Sequence, residues 1–118
     1  MTIESFKKCN SITSLVVLTI ASATYLLTLE PTVSFWDCGE FIASSYKLEV
    51  GHPPGNPTWQ ILVRLFTLFV APEHVAAAIN SCSAICSALT IFFLYLTIVF
   101  FIRRLIPRKQ YDVSDIIV

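Results

Sequence analysis

Two long apolar runs, separated by a more polar segment, dominate the pattern of hydrophobic positions along the chain. The eighteen residues Ile12–Leu29 and the twenty-eight residues Val75–Ile102 contain no charged side chain. A helix needs about 20 apolar residues to cross about 30 Å of hydrocarbon. The pattern therefore predicts two transmembrane helices, the second of which is long enough to tilt in the bilayer.

Composition favours a membrane protein over an ordinary soluble domain. The 118 residues are 55% hydrophobic and 14% charged, whereas soluble domains carry about 25% charged residues. The predicted fold is all-α, with two transmembrane helices joined by an outer loop that contains short juxtamembrane helices. The predicted parts are a tail (1–11), a first span (12–29), the outer loop (30–74), a second span (75–102) and a second tail (103–118).

The placement of basic residues predicts the orientation of the chain. Two lysines precede the first span, four basic residues follow the second, and five acids but only two bases lie between the spans. Basic residues concentrate on the cytoplasmic side of membrane proteins. We therefore expect both termini in the cytoplasm, the loop outside, and the chain in the inner (plasma) membrane. The basic cluster at 103–109 adjoins a span, so it indicates topology and not a nucleic-acid partner.

A cleaved signal peptide is the alternative for the N-terminus. Ala21-Ser22-Ala23 resembles a small-residue cleavage site that follows a basic and an apolar region. The product would then be exported and anchored by one helix. The apolar sequence continues to Leu29, so the run is longer than a usual signal core. A retained membrane anchor is therefore favoured.

Two short helices are predicted between the spans. Ser34 and Asp37 are alternative N-caps for a helix over Cys38–Leu48. The segment Gly51–Pro57 excludes regular structure, because proline lacks a backbone donor and glycine permits positive φ. The apolar segment Thr58–Val70 is too short to span a bilayer, and it predicts an interfacial helix on the outer leaflet.

Three polar residues of the predicted interfacial helix recur at helical spacing on one face, namely Gln60, Arg64 and Thr67. We expect this face to point toward water, with Trp59 at headgroup depth. Arg64 is a candidate substrate-binding residue that could neutralise a lipid phosphate. The alternative for Arg64 is a side chain that extends to the headgroups without a functional role.

Asp37, Glu40 and His52 are the polar residues best suited to chemistry. Asp37 and Glu40 are three residues apart, so on a helix they project to similar sides and suit acid–base work or a divalent ion. The alternative for Asp37 is a simple helix cap, the commoner role at such a position. His52 is expected to donate to a phosphate or to assist a carboxylate, and its alternative is an exposed turn histidine.

The segments Pro31–Ala43 (PTVSFWDCGEFIA) and Tyr46–Pro57 (YKLEVGHPPGNP) resemble the amino-terminal signature of the large multipass proteins known as domain of unknown function 2723. That family is grouped with the type-C glycosyltransferases, as glycosyltransferase family 117, and is related to a eukaryotic transmembrane O-mannosyltransferase. The joint D-x-G-E and H-P-P-G-x-P pattern carries the resemblance, which extends over residues 12–102.

The resemblance implies a polytopic enzyme that transfers a sugar from a polyprenyl-phosphate donor to an exported protein acceptor at a Ser or Thr hydroxyl. It implies that Asp37 is the catalytic base, that Glu40 orients the acceptor or a metal, and that His52 contributes to the site. Arg64 or a divalent metal would stabilise the departing phosphate, and no other cofactor is implied. Desolvation near the membrane is expected to raise the carboxylate pKa values.

Length is the point at which the chain departs from the type-C pattern, because those enzymes have many spans. We therefore expect an amino-terminal portion that needs the remaining transmembrane helices of the full enzyme and is inactive alone. The small residues of Ser81–Ala88 suit close packing against another helix. The alternative from another class is a small, non-catalytic, two-span membrane subunit.

Overall fold

Four helices and one short 3₁₀ turn make up the protein in a computed structural model that describes residues 3–106. Within that range all regular structure is helical. The helices are α1 (Ile3–Leu27), α2 (Cys38–Lys47), α3 (Pro57–Thr67) and α4 (Val75–Leu105). The 3₁₀ turn, Pro72–His74, lies directly before α4. The part of the predicted second tail from residue 107 onward, which includes Arg108 and Lys109, lies outside the described residues.

The two long helices confirm the main prediction from the apolar runs. The segments Glu4–Leu27 and Pro72–Leu105 are long and apolar enough to cross a membrane, and only 6% of the apolar window of each is buried. The core helix of a soluble protein would be mostly buried, so both helices need lipid or other helices around them. Helix α1 begins at Ile3, so residues 3–11, expected to form a polar tail, are helical.

One unit of the structure contains the described residues 3–23 and 87–106. Within it the Tyr95 hydroxyl donates to Asn10 Oδ1 at 3.0 Å, and the Arg103 guanidinium lies 4.8 Å from the centre of the Phe6 ring. Tyr95 and Arg103 of α4 thus have partners on α1 within this unit.

The second unit contains residues 24–86, and with them all the candidate residues. Its apolar core joins α2, α3 and the start of α4 through five buried side chains, namely Ile42, Val63, Val75, Ile79 and Cys82. Helix α2 confirms the helix expected over Cys38–Leu48, and it ends because Leu48 adopts a left-handed backbone with a φ of 56°. This small core fixes the two loop helices relative to the start of α4.

Helix α3 begins immediately after the proline- and glycine-rich segment. Asn56 is its N-cap, and the Asn56 Oδ1 atom accepts a hydrogen bond from the Trp59 backbone nitrogen at 3.3 Å. Pro57 occupies the first turn, where its missing N–H costs nothing. A helix within Thr58–Val70 is thereby confirmed, although it ends at Thr67. The Asn56 cap was not anticipated.

Candidate functional site

Asp37 stands at the start of α2, but its side chain does not cap the helix. Asp37, and not Ser34, occupies the N-cap position, and it makes no side-chain capping hydrogen bond. The first backbone bond of the helix runs from the Phe41 nitrogen to the Asp37 carbonyl oxygen at 2.9 Å. Asp37 is exposed, and within residues 3–106 its carboxylate has no hydrogen-bond or ion-pair partner. Both capping interpretations were therefore wrong about the side chain.

Glu40 and His52 form the closest polar pair of the site. The His52 backbone nitrogen donates to Glu40 Oε1 at 2.7 Å, and His52 Nδ1 lies 2.7 Å from Glu40 Oε2. The edge of the Phe41 ring packs near the imidazole, with 6.4 Å between ring centres. His52 is thus an exposed turn histidine, as the alternative had it, and it hydrogen-bonds a carboxylate.

Mutual hydrogen bonding shifts the pKa values of both partners. The bond from the His52 backbone, followed by the bond from its ring, lowers the pKa of Glu40 and outweighs desolvation. The hydrogen bond with Glu40, followed by the charge of Glu40, raises the pKa of His52, and the charge of Asp37 adds to this increase. The expectation that desolvation raises the carboxylate pKa was wrong for Glu40, because hydrogen bonds to the ionised form dominate.

The turn that presents His52 depends on its prolines and glycines. The Gly55 nitrogen donates to the His52 carbonyl oxygen at 2.9 Å, and Gly55 has a φ of +72°, which favours glycine. A Cβ atom on Gly51 would lie 3.4 Å from Glu40 Oε1. This compact turn aims both the backbone nitrogen and the ring of His52 at one carboxylate.

Arg64 lies in a different cluster, between α2 and α3. Its guanidinium stacks over the Tyr46 ring at 5.0 Å, and its Nη1 donates to Thr67 Oγ1 at 3.1 Å. On the same face, Gln60 Nε2 donates to Ser44 Oγ at 3.1 Å. The polar face of α3 therefore turns toward α2 and not toward water, because these groups satisfy one another there. The apolar side chains of α3 are left exposed, among them Ile61, Leu65 and Phe66.

The structure thus brings three of the four candidate residues together. Asp37 and Glu40 lie at the start of α2, and the charge of Asp37 reaches His52, whereas the contacts of Arg64 are with Tyr46 and Thr67. Within residues 3–106 no three His, Cys, Asp or Glu side chains are grouped as a metal site requires. Since His52 engages both oxygens of Glu40, these residues do not fit a metal, and we derive no step through one.

Asn80 is a site residue that sequence reasoning missed. Its Nδ2 donates to the Glu30 carbonyl oxygen at 2.8 Å and to the Thr32 carbonyl oxygen at 3.0 Å. Its Oδ1 lies 4.0 Å from the sulfur of Cys38, the residue after Asp37. The available signal was chemical, since Asn80 is the single amide side chain in the run Val75–Ile102 and amides in apolar helices need partners.

Comparison with known proteins identifies the family. The family model described as Protein O-mannosyl-transferase TMEM260 N-terminal domain matches residues 37–118. A relative, "Protein O-mannosyl-transferase tmem260" of Dictyostelium discoideum, is 30% identical over 93 residues, which are 75% of this chain and 11% of that relative. No solved structure matches the chain. Because the family model covers well over half of its residues, the chain belongs to the family of the O-mannosyl-transferase TMEM260 N-terminal domain, and its origin is that of a glycosyltransferase.

Proposed function

We propose that the chain forms two spans and the first outer loop of a polytopic, type-C enzyme. The enzyme transfers a mannosyl group from a polyprenyl phosphate to a Ser or Thr hydroxyl of an exported protein. The name of the Dictyostelium relative specifies O-mannosyl transfer, and this chain corresponds to 11% of that relative. The observation that carries the proposal is the exposed Asp37 carboxylate, which makes no helix-capping hydrogen bond and lies on the same helix start as the Glu40–His52 pair.

Asp37 acts as the general base in this proposal. The acceptor hydroxyl gives its proton to the Asp37 carboxylate while its oxygen attacks the anomeric carbon of the sugar. The bond from that carbon to the phosphate oxygen breaks, and the polyprenyl phosphate leaves with the electron pair. A base must come within hydrogen-bond reach of the hydroxyl. An exposed carboxylate that is not engaged by the helix start meets this requirement.

Glu40 and His52 have a different task. Glu40 holds the Nδ1 side of the imidazole and keeps the ring cationic over a wider pH range. The other ring nitrogen, Nε2, is then a donor for the departing phosphate. Arg64 lies apart from these groups, stacked on Tyr46, and its remaining guanidinium nitrogens are candidates for a phosphate of the surrounding membrane lipid and not for the departing phosphate.

Two preparations test the proposal. Membranes that contain this chain together with the remaining helices of the enzyme should transfer labelled mannose from polyprenyl-phosphate mannose to a Ser/Thr peptide. The purified 118-residue chain should transfer none, because donor and acceptor sites need the other helices. Transfer by the chain alone would contradict the need for other helices. If the complete protein transfers no sugar from any polyprenyl phosphate, the non-catalytic subunit becomes the better account.

A further inference from the structure

Asn80 uses its entire amide group, near the start of α4, to hold the segment that leads into α2. Both hydrogens of Nδ2 are engaged, by the Glu30 carbonyl oxygen at 2.8 Å and the Thr32 carbonyl oxygen at 3.0 Å. Its Oδ1 faces the Cys38 sulfur at 4.0 Å, a distance at which a thiol is a weak donor. These partners lie 42 to 50 residues away in sequence.

The carbonyl oxygens that Asn80 binds are themselves presented by a local turn. Glu30 Oε1 accepts hydrogen bonds from the Thr32 hydroxyl at 2.6 Å and from the Thr32 backbone nitrogen at 3.2 Å. Pro31, which lies between them, has a fixed φ. The turn 30–32 is therefore preorganised, and the single Asn80 amide nitrogen can donate to both carbonyl oxygens.

Asn80 contacts both ends of the segment 33–37. Thr32 precedes this segment and Cys38 follows it, and Asn80 touches both residues. Inside the segment, Trp36 has a φ of 63° and is 97% exposed. A bulky residue in this left-handed region is strained, and it persists only when its surroundings impose the conformation. The exposed indole cannot impose it, whereas Asn80 ties both ends of the segment to α4.

We propose that Asn80 is a positioning residue for Asp37, because it fixes both ends of the segment 33–37 on α4 and so determines where the Asp37 carboxylate stands relative to Glu40 and His52. The catalytic consequence rests on the proposed role of Asp37, whereas the positioning itself does not. Asn80 has no part in binding substrate in this account.

The test uses the titration of the His52 ring, followed by NMR in the 118-residue chain in micelles. The titration is run at about 0.15 M salt, where exposed charges act over only about 8 Å, so the effect of Asp37 depends on its position. Asp37→Asn should lower the pKa of His52 in the natural chain and should lower it less in an Asn80→Leu background. Glu40→Gln should lower it equally in both backgrounds, because within residues 3–106 the hydrogen bonds of Asn80 go to Glu30, Thr32 and Cys38 and to neither Glu40 nor His52. Asn80→Ala serves as a second variant.

A matched control lies on the same helix. Ser83 is exposed, and among the described residues its hydroxyl bonds only to the Ile79 carbonyl oxygen of the same helix, so Ser83→Ala should leave the effect of Asp37→Asn intact. If Asp37→Asn lowers the His52 pKa equally with and without Asn80, the positioning role is wrong. If Asn80→Leu and Asn80→Ala also abolish the effect of Glu40→Gln, Asn80 is a general folding residue and the proposal is likewise wrong.

The complete transferase separates this inference from the proposed function. There, Asn80→Leu should lower kcat by about 100-fold, the cost of a misplacement of about 1 Å, with an unchanged KM for the donor. If Asn80→Leu reduces the NMR effect of Asp37→Asn as expected but Asp37→Asn transfers sugar at the natural rate, the positioning stands and the proposed function fails. An unchanged kcat in Asn80→Leu, where Asp37→Asn is inactive, contradicts the positioning.

Discussion

His52 contacts both carboxylate oxygens of Glu40, through its backbone nitrogen and its ring, each at 2.7 Å. The two residues are 12 positions apart, so the pair closes the chain between α2 and the turn before α3. Asp37 lies three residues before Glu40, yet within residues 3–106 its carboxylate has no such partner. Two acids at helical spacing therefore have different roles, with Glu40 engaged in structure and Asp37 available for chemistry.

The first prediction concerns the charge of His52. Its ring should titrate above 6.5, because the hydrogen bond and charge of Glu40 stabilise the imidazolium. Glu40→Gln should bring the pKa back toward 6.5, while Asp37→Asn, whose contribution is smaller, should lower it less. An NMR titration of the His52 ring measures this pKa in the natural chain and in the two variants. Equal effects of the two substitutions would contradict the different roles assigned to the carboxylates.

The second prediction is a pH window for the stability of the turn. The folded pKa of Glu40 lies below 4.5, so its contribution is full above 4.5 and is lost as pH falls through the lowered value. The folded pKa of His52 lies above 6.5, so its contribution is full below 6.5 and is lost as pH rises through the raised value. Hydrogen-exchange protection of the His52 amide should be greatest between 4.5 and 6.5. In Glu40→Gln the window should disappear.

The third prediction concerns the start of α3. Asn56→Ala removes the oxygen that accepts from the Trp59 nitrogen, and loss of such a cap costs about 0.5–2 kcal/mol. Hydrogen exchange at the first amides of α3 should accelerate accordingly, by about 2- to 30-fold if exchange follows opening of the helix. Asn56→Asp keeps the acceptor oxygen and is the control, with little change expected. No difference between the two variants would show that the cap is unimportant.

The fourth prediction uses two neighbouring serines of α2. Ser45 is fully buried, and within residues 3–106 its hydroxyl has no partner. Ser45→Ala should leave the melting temperature in detergent unchanged or raise it, since an unsatisfied buried polar group costs about 1–3 kcal/mol. Ser44→Ala loses the hydrogen bond from Gln60 and should be destabilised by about 0.5–1.5 kcal/mol. A clear loss of stability in Ser45→Ala alone would contradict the absence of a partner.

The helices were the predictable part of the fold. The charge-free runs predicted α1 and α4, because only the length of apolar sequence matters for a span. The alternative caps Ser34 and Asp37 predicted the start of α2, although the side chain of the N-cap residue Asp37 makes no capping bond, and the prolines after Gly51 separated α2 from α3. The start of α1 at Ile3 was not predicted, since a helix need not end at the edge of the hydrocarbon.

Pairings between distant residues were not predictable in the same way. The spacing of Gln60, Arg64 and Thr67 gave a polar face but not its neighbour, and the structure turns that face toward α2. His52 pairs with Glu40 and not with Asp37 because of the path of the backbone through the 51–57 turn. The contacts of Asn80 depend on how the turn 30–32 meets the start of α4, which no local pattern encodes.

The most direct test of the central claim is the rate of sugar transfer by the complete enzyme carrying Asp37→Asn, compared with Glu40→Gln. Asp37→Asn should lower kcat by about 10²- to 10⁴-fold, as loss of a general base does, while the His52 amide remains protected by Glu40. Glu40→Gln should retain measurable transfer and lose that protection. Transfer by Asp37→Asn at the natural rate would contradict the assignment of Asp37 as the base.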